Sequence, residues 1–301
     1  MTKQRRDLGT RLPASVRIAM TDVPDGRMLH LPGRGTTFIT DTPGPSACAP
    51  AILLLHALST TGRLSWFPSI GALSKRFRVI TMDQRLHGRG IHTDSFSLHD
   101  CADDAAAVLD ELGIDTAMIA GFSMGSLVAQ LVWRQHPERV GGLVLCASAD
   151  RLQANFAERL VHQSVSASVV ATRRRSLERR RDPERVDPRD DIHRWALAEF
   201  RSTRPLAAAH ALAAIGRHHS RPWICEVNVP TAVVVPLRDK AIPPKRQREM
   251  AARIPGATLH EVDAGHACCV MNADAFVPVL TEATTTVLAR WTENRSIGES
   301  P

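Results

Sequence analysis

The sequence predicts a doubly wound α/β fold, a mostly parallel sheet with helices on both faces, interrupted once by a helical insertion. Three observations carry that prediction. Short, wholly apolar runs such as "AILLL" (51–55) and "VGGLVLC" (140–146) alternate with stretches of helical period, as strands buried on both faces require. The alternation stops near Asp150, where an arginine- and alanine-rich segment (151–222) contains no strand run, and it resumes at Thr231. The chain, 301 residues with 44% hydrophobic and 23% charged composition, is long enough to bury a large core and is composed like an ordinary globular protein.

Each element has its own signal. Residues 27–42, "RMLHLPGRGTTFITDT", give two strand-like runs around Pro32-Gly33 and predict a hairpin. "AILLLHAL" (51–58) reads as a buried strand, "WFPSIGALSKRF" (66–77) as a short helix and "RVITMD" (78–83) as a strand. Residues 97–113 carry apolar positions at helical spacing, with Gly113 placed to cap the end. "TAMIAG" follows as strand, "SLVAQLVWRQH" as a helix stopped by Pro137, and "VGGLVLCAS" (140–148) as strand. After the insertion come a strand (231–239), a helix (243–254), a strand and turn (257–266) and a helix (274–291). The expected division is a core of 1–149 and 223–292, an Arg-rich helical insertion at 150–222, and a disordered tail at 293–301.

Composition narrows the function classes. No run reaches the ~18 apolar residues of a membrane-spanning helix. The N-terminus, "MTKQRRDLGTRLPASVRIAM", lacks the apolar centre of a secretory signal and reads as a short disordered basic leader. The six cysteines have no regular spacing and form no C-x-x-C pair; free thiols and a cytoplasmic location are expected, with no zinc site. Residues 151–222 hold 15 Arg, no Lys and 8 acidic residues, a balance of +7 that equals the formal net charge of the whole chain. The simplest reading of "RRRSLERRRDPERVDPRDD" (173–191) is a solvated helix face, with Arg174 and Glu178 spaced i,i+4. The alternatives are attraction of an anionic substrate, an acidic lipid surface or an acidic partner. Nucleic acid is not expected: the segment's only aromatics are Phe156, Trp195 and Phe200, and it carries no recognised binding motif.

The chemistry points to "AGFSMGS". A Gly-x-Ser-x-Gly match is weak alone, but here a strand precedes it and a helix follows. Ser123 then takes a tight turn at a strand end, and the Met124 N–H opens a helix, where donors are free and the dipole favours an anion. The alternative is a turn that needs glycine and holds an idle serine. A nucleophilic serine needs a base from another strand end. His266, in "DAGHACCV", follows the last predicted strand in a Gly-containing loop. The orienting carboxylate should also follow a strand. Asp239, closing "TAVVVPLRD", fits; Asp150, after "VGGLVLCAS", is a second candidate, and Asp263 lies too near His266 in sequence to reach behind its ring.

Over nearly all of residues 27–292 the chain resembles an α/β-hydrolase with a helical cap. Three further stretches carry the likeness. "LLLHALSTTGRLSWFPSIGALSKRFRVITMDQRLHGRG" is similar to the family's His-Gly stretch, Trp-containing helix and Asp-x-Arg-Gly-His-Gly turn. "LGIDTAMIAGFSMGSLVAQLVWRQHPERVGGLVLC" resembles the elbow region, and "VPTAVVVPLRDKAIPP" the strand that delivers the acid. The resemblance implies Ser123 as nucleophile, His266 as base and Asp239 as its orienter, with the Met124 and Leu58 N–H groups as oxyanion hole. Two positions depart from the pattern: Ala57 follows His56 where the family has glycine, and Leu86 replaces the glycine of the later turn. His56 and His87 read as loop structure. Serine at the elbow, where epoxide- and halide-processing members carry Asp, implies acyl transfer. The expected activity is hydrolysis of a small to medium, mainly apolar carboxylic ester, with no cofactor or metal. An enol-lactone or carbon–carbon bond hydrolase and a non-catalytic binding protein on the same scaffold are the alternatives.

Overall fold

The computed structural model describes residues 23–152 and 186–298. The basic leader (1–20), the part of the arginine run at 173–185 and the last three tail residues lie outside the described residues.

A hairpin of β1 (Gly26–Leu31) and β2 (Gly35–Thr42) leads into β3 (Ala51–Leu55), α1 (Gly62–Leu73), β4 (Arg78–Met82) and α2 (Leu98–Glu111). Then come β5 (Ala117–Phe122), α3 (Met124–Gln135) and β6 (Val140–Cys146). Two helices, α4 (Ile192–Ser202) and α5 (Pro205–Arg217), precede β7 (Thr231–Pro236). The chain continues with α6 (Pro244–Ala251), β8 (Thr258–Val262), a short α7 (Cys268–Met271) and α8 (Ala273–Gly298). The eight strands form one sheet in the order β1-β2-β4-β3-β5-β6-β7-β8. The β1–β2 and β2–β4 pairs are antiparallel and every pair from β4 to β8 is parallel.

The apolar strands are explained by burial on both faces. Leu53 and Leu55 of β3 point into one core with Ile119, Leu143, Leu145, Val233 and Val235, covered by α2, α3 and α6. Ile52 and Leu54 point into the other with Met118, Val144 and Val234, covered by α1 and α8 through Trp66, Phe276 and Leu280. Successive side chains face opposite sides of a strand, so neither face leaves a polar position. The insertion is closed at its neck: Arg151 forms an antiparallel bridge with His219, and the Ser220 N–H donates to the Asp150 carbonyl at 2.8 Å.

Two elements differ most from the sequence reading. Helix α1 starts at Gly62, four residues before Trp66, because the Thr61 side chain caps it by accepting the Leu64 N–H at 3.1 Å. Most of its residues are buried, so no polar face marks its ends. Helix α8 continues to Gly298, so residues 293–298 of the expected disordered tail are helical.

Parallel strands put every carboxyl end from β3 to β8 on one edge of the sheet. The chain runs outward from β3 to β4 and then returns to β5 on the other side of β3. Ligand sites of open α/β sheets form at such a reversal. Here α3 begins against the end of β3: a Cβ on Gly125 would stand 2.1 Å from the Leu55 carbonyl oxygen, and one on Gly121 2.2 Å from the Gly125 carbonyl oxygen. Gly125→Ala should therefore destabilise the fold by about 1–3 kcal/mol or more, read as a lower urea midpoint. Gly71→Ala is the matched control: that exposed position of α1 has no atom within 4 Å of an added Cβ, and the substitution should stabilise by up to about 1 kcal/mol.

Candidate active site

Ser123 joins β5 to α3 with φ 54° and ψ −114°, a conformation L-residues rarely adopt. Such strain costs on the order of 1–3 kcal/mol and must be held by its surroundings. Three bonds do so: the Ser123 N–H donates to the Cys146 carbonyl at 2.9 Å, the Ser126 hydroxyl lies 2.6 Å from the Gly121 carbonyl, and Ser126 Oγ accepts the Cys146 N–H at 3.0 Å. The half-buried Ser123 side chain is left standing at the sheet edge.

His266 meets it from the loop after β8. Its Nδ1 lies 2.7 Å from Asp239 Oδ2 and its Nε2 lies 2.9 Å from Ser123 Oγ. With Nδ1–H donating to the carboxylate, Nε2 is the acceptor for the serine hydroxyl. The Phe122 ring packs edge-on against the imidazole, its centroid 5.9 Å away, and is backed by Trp66 and Phe276. Asp239 is buried, and all its acceptor positions are used. Oδ1 accepts the Ala241 and Ile242 N–H groups at 2.8 and 2.9 Å, and Oδ2 accepts Gln247 Nε2–H at 3.0 Å beside His266. The second carboxylate candidate, Asp150, instead faces Arg253 Nε at 3.2 Å, and Asp263 pairs with Arg238 in solvent.

The two backbone donors differ in how they are fixed. The Met124 N–H opens α3, and among the described residues no hydrogen bond uses it or the Leu58 N–H. Leu58 N–H shares a planar peptide with the Ala57 carbonyl, and that carbonyl is held on three sides. His56 Nδ1–H and the Thr60 hydroxyl each donate to it at 2.8 Å, and the Thr60 N–H at 3.3 Å. Fixing the oxygen fixes the N–H on the opposite side of the plane. Ala57 fits because the left-handed residue of this loop is Ser59 (φ 61°), two positions on. Leu86, by contrast, does take a left-handed conformation (φ 61°), a strain that glycine would avoid.

His56 is fully buried, with Nε2 accepting the Gln84 N–H at 2.8 Å. Burial and the neighbouring His87 lower its pKa to about 3, although the bond to Ala57 opposes this. Its neutral tautomer is therefore the one that orients the Ala57 peptide. Cys268, two residues from His266, does not compete as a nucleophile: burial, with the charge of Asp239, pushes its thiol up to about 12. Among the described residues no group of three or more His, Cys, Asp or Glu is arranged to hold a metal ion. Sequence reading missed Phe122, Thr60 and Gln247. Only Phe122 had a signal, its place between Gly121 and Ser123.

The fold and this edge define an α/β-hydrolase. The chain belongs to the alpha/beta hydrolase fold family, whose model matches residues 50–272. It is 31% identical over 267 residues to rhodomycin D methylesterase DauP of Streptomyces sp. (strain C5), covering 73% of this chain and 86% of that one. It is 23% identical to 3-oxoadipate enol-lactonase 1 of Acinetobacter baylyi, over 82% of this chain and 93% of the relative. Among solved structures it is similar to the enol-lactonase from Burkholderia xenovorans LB400, at TM-score 0.68 and 25% identity, covering 86% of this chain and all of that one.

The histidines set an acid limit to stability. His56 contributes stability that is complete above its ordinary pKa of 6.5 and is lost as pH falls from there toward about 3. His218, lowered to about 4 by burial and nearby histidines, acts in the same direction. Asp83 acts oppositely: burial raises it to about 6, so its contribution is lost as pH rises through that value. Between pH 7 and 5 the unfolding free energy should fall, by at most about 1.4 kcal/mol per pH unit for each imidazole. Urea titrations of His56→Gln should show a shallower decline than wild type.

Proposed function

We propose that the protein is a serine hydrolase that cleaves a carboxylic ester through an acyl-enzyme. The observation that supports this is the continuous relay from Asp239 Oδ2 through His266 to Ser123 Oγ, at 2.7 and 2.9 Å. In this reading Ser123 Oγ attacks the ester carbonyl while His266 Nε2 takes its proton. The carbonyl oxygen becomes an anion and is met by the Met124 and Leu58 N–H groups; losing one such donor costs about 10²–10³ in rate. The imidazolium, held against Asp239, then protonates the departing alcohol oxygen. Water enters, gives its proton to Nε2 and attacks the acyl-enzyme, and the acid leaves as Ser123 recovers its proton.

The names of some relatives support this substrate class. A methylesterase and enol-lactonases are among them, and opening an enol-lactone is itself hydrolysis of an ester bond. A carboxylic ester is the leading substrate class, with the enol-lactone reading second on the strength of those names. We propose that residues 150–222 form a cap over the site, with apolar side chains of α4 and α5 bounding the substrate space. Six unpaired cysteines support a cytoplasmic location. No helix among the described residues is long and apolar enough to cross a membrane.

A fluorophosphonate probe should label wild type and not Ser123→Ala; a folded wild-type protein that stays unlabelled sinks the hydrolase reading in favour of a binding protein. In steady-state kinetics Ser123→Ala or His266→Ala should lower kcat by about 10⁴ or more, and Asp239→Asn by about 10⁴. Asp150→Asn should turn over at the wild-type rate. A screen of esters of increasing chain length beside an enol-lactone separates the two substrate classes by kcat/KM.

A further inference from the structure

Glu199 of α4 is a charged residue with no accessible surface, and the relay described above does not use it. Its partners come from two core segments near the candidate site. Oε2 accepts the Thr61 hydroxyl at 2.6 Å; Oε1 accepts Arg63 at 2.8 Å and Arg89 at 3.0 Å. Arg89 lies over the Phe38 ring, 3.6 Å from its centroid, and Arg63 lies 5.0 Å from the same centroid. Asp83 completes the cluster by accepting the Gly62 N–H at 2.8 Å and the Arg89 N–H at 2.9 Å.

Stability does not account for such a cluster. Burying a carboxylate among cations gains little over an apolar contact of the same shape, and α4 already has one, where Trp195 meets Phe67 edge-on at 5.4 Å. What the charges add is direction. Thr61 caps α1 and is pinned by Glu199, while Thr60 beside it donates to the Ala57 carbonyl and lies 2.7 Å from Ser65 Oγ. The loop that presents the Leu58 N–H is thus fixed at two ends, by His56 on Gln84 and by Thr61 on Glu199. Without the Glu199 charge, Arg63 and Arg89 would lose that counter-charge, and a single amide oxygen could not accept from both arginines and from Thr61.

We propose that Glu199 is a positioning residue that couples the seating of α4 on the core to the orientation of the Leu58 N–H. The coupling to turnover rests on the serine-hydrolase reading above. Glu199→Gln keeps the shape and removes the charge. Its kcat for an ester should fall at least about tenfold, as for a displaced oxyanion donor, with KM and the acid limb of the pH–rate profile unmoved, since that limb reports the base. Thr61→Val removes the link to Glu199 together with the α1 cap while leaving the arginine pairs intact; it should show the same loss, and Thr61→Ser, which can keep both bonds, should restore the rate. A folded Glu199→Gln or Thr61→Val protein with wild-type kcat overturns the proposal, because a purely structural residue would lower only the melting temperature. If Glu199→Gln does not fold, the Thr61 pair decides. A second readout needs no turnover: amide hydrogen exchange across residues 56–65 should accelerate in both variants, and unchanged exchange also overturns the coupling. Failure of the wild type to take the fluorophosphonate label would overturn the hydrolase reading alone, and exchange would still decide whether Glu199 holds the loop.

Discussion

The close approach of α3 to the end of β3 is the constraint from which the rest of the site follows. Gly125 sits against the Leu55 carbonyl and Gly121 against Gly125 with no room for a Cβ, so the chain must reverse within the three residues between them. That reversal forces Ser123 into its rare conformation and leaves the first N–H of α3 without an acceptor. The twin glycines thus give the helix its closeness to the sheet, and the serine exposure follows.

Around that turn, two acceptors are held from several sides at once. Asp239 accepts four hydrogen bonds and the Ala57 carbonyl three. Orientation here comes from counting partners: an oxygen held on several sides cannot swing, and neither can the group attached to it. The Met124 and Leu58 N–H groups are unused among the described residues. Neutral His56 and the buried cluster at Glu199 act on the same loop from opposite ends.

Sequence reading recovered what depends on local pattern. Strands buried on both faces show as apolar runs, and β3, β5, β6 and β7 are such runs. The start of α1 was not legible, because a helix covered on most of its surface has no polar stripe, and its capping residue is held by Glu199, 138 residues away. Gln247 sits in a charged stretch, "PPKRQREM", where nothing distinguishes a buried amide from a solvated one, yet it supports Asp239. Local pattern alone leaves Asp150 as a second candidate beside Asp239, and it is the family resemblance that favours Asp239. Both follow apolar strands, and only the direction each side chain takes at its strand end separates them.

By itself the sequence determined the layered parallel sheet, the place of the insertion and the identity of the elbow serine, because each is written in spacing: period two, period 3.6, and glycines two residues either side of a serine. The tertiary structure decided which carboxylate lies behind His266, which peptide plane faces Ser123, and that a glutamate in the insertion reaches the loop beside them. Those are meetings between strand ends and loops far apart in the chain, and no local spacing encodes where two such ends come together.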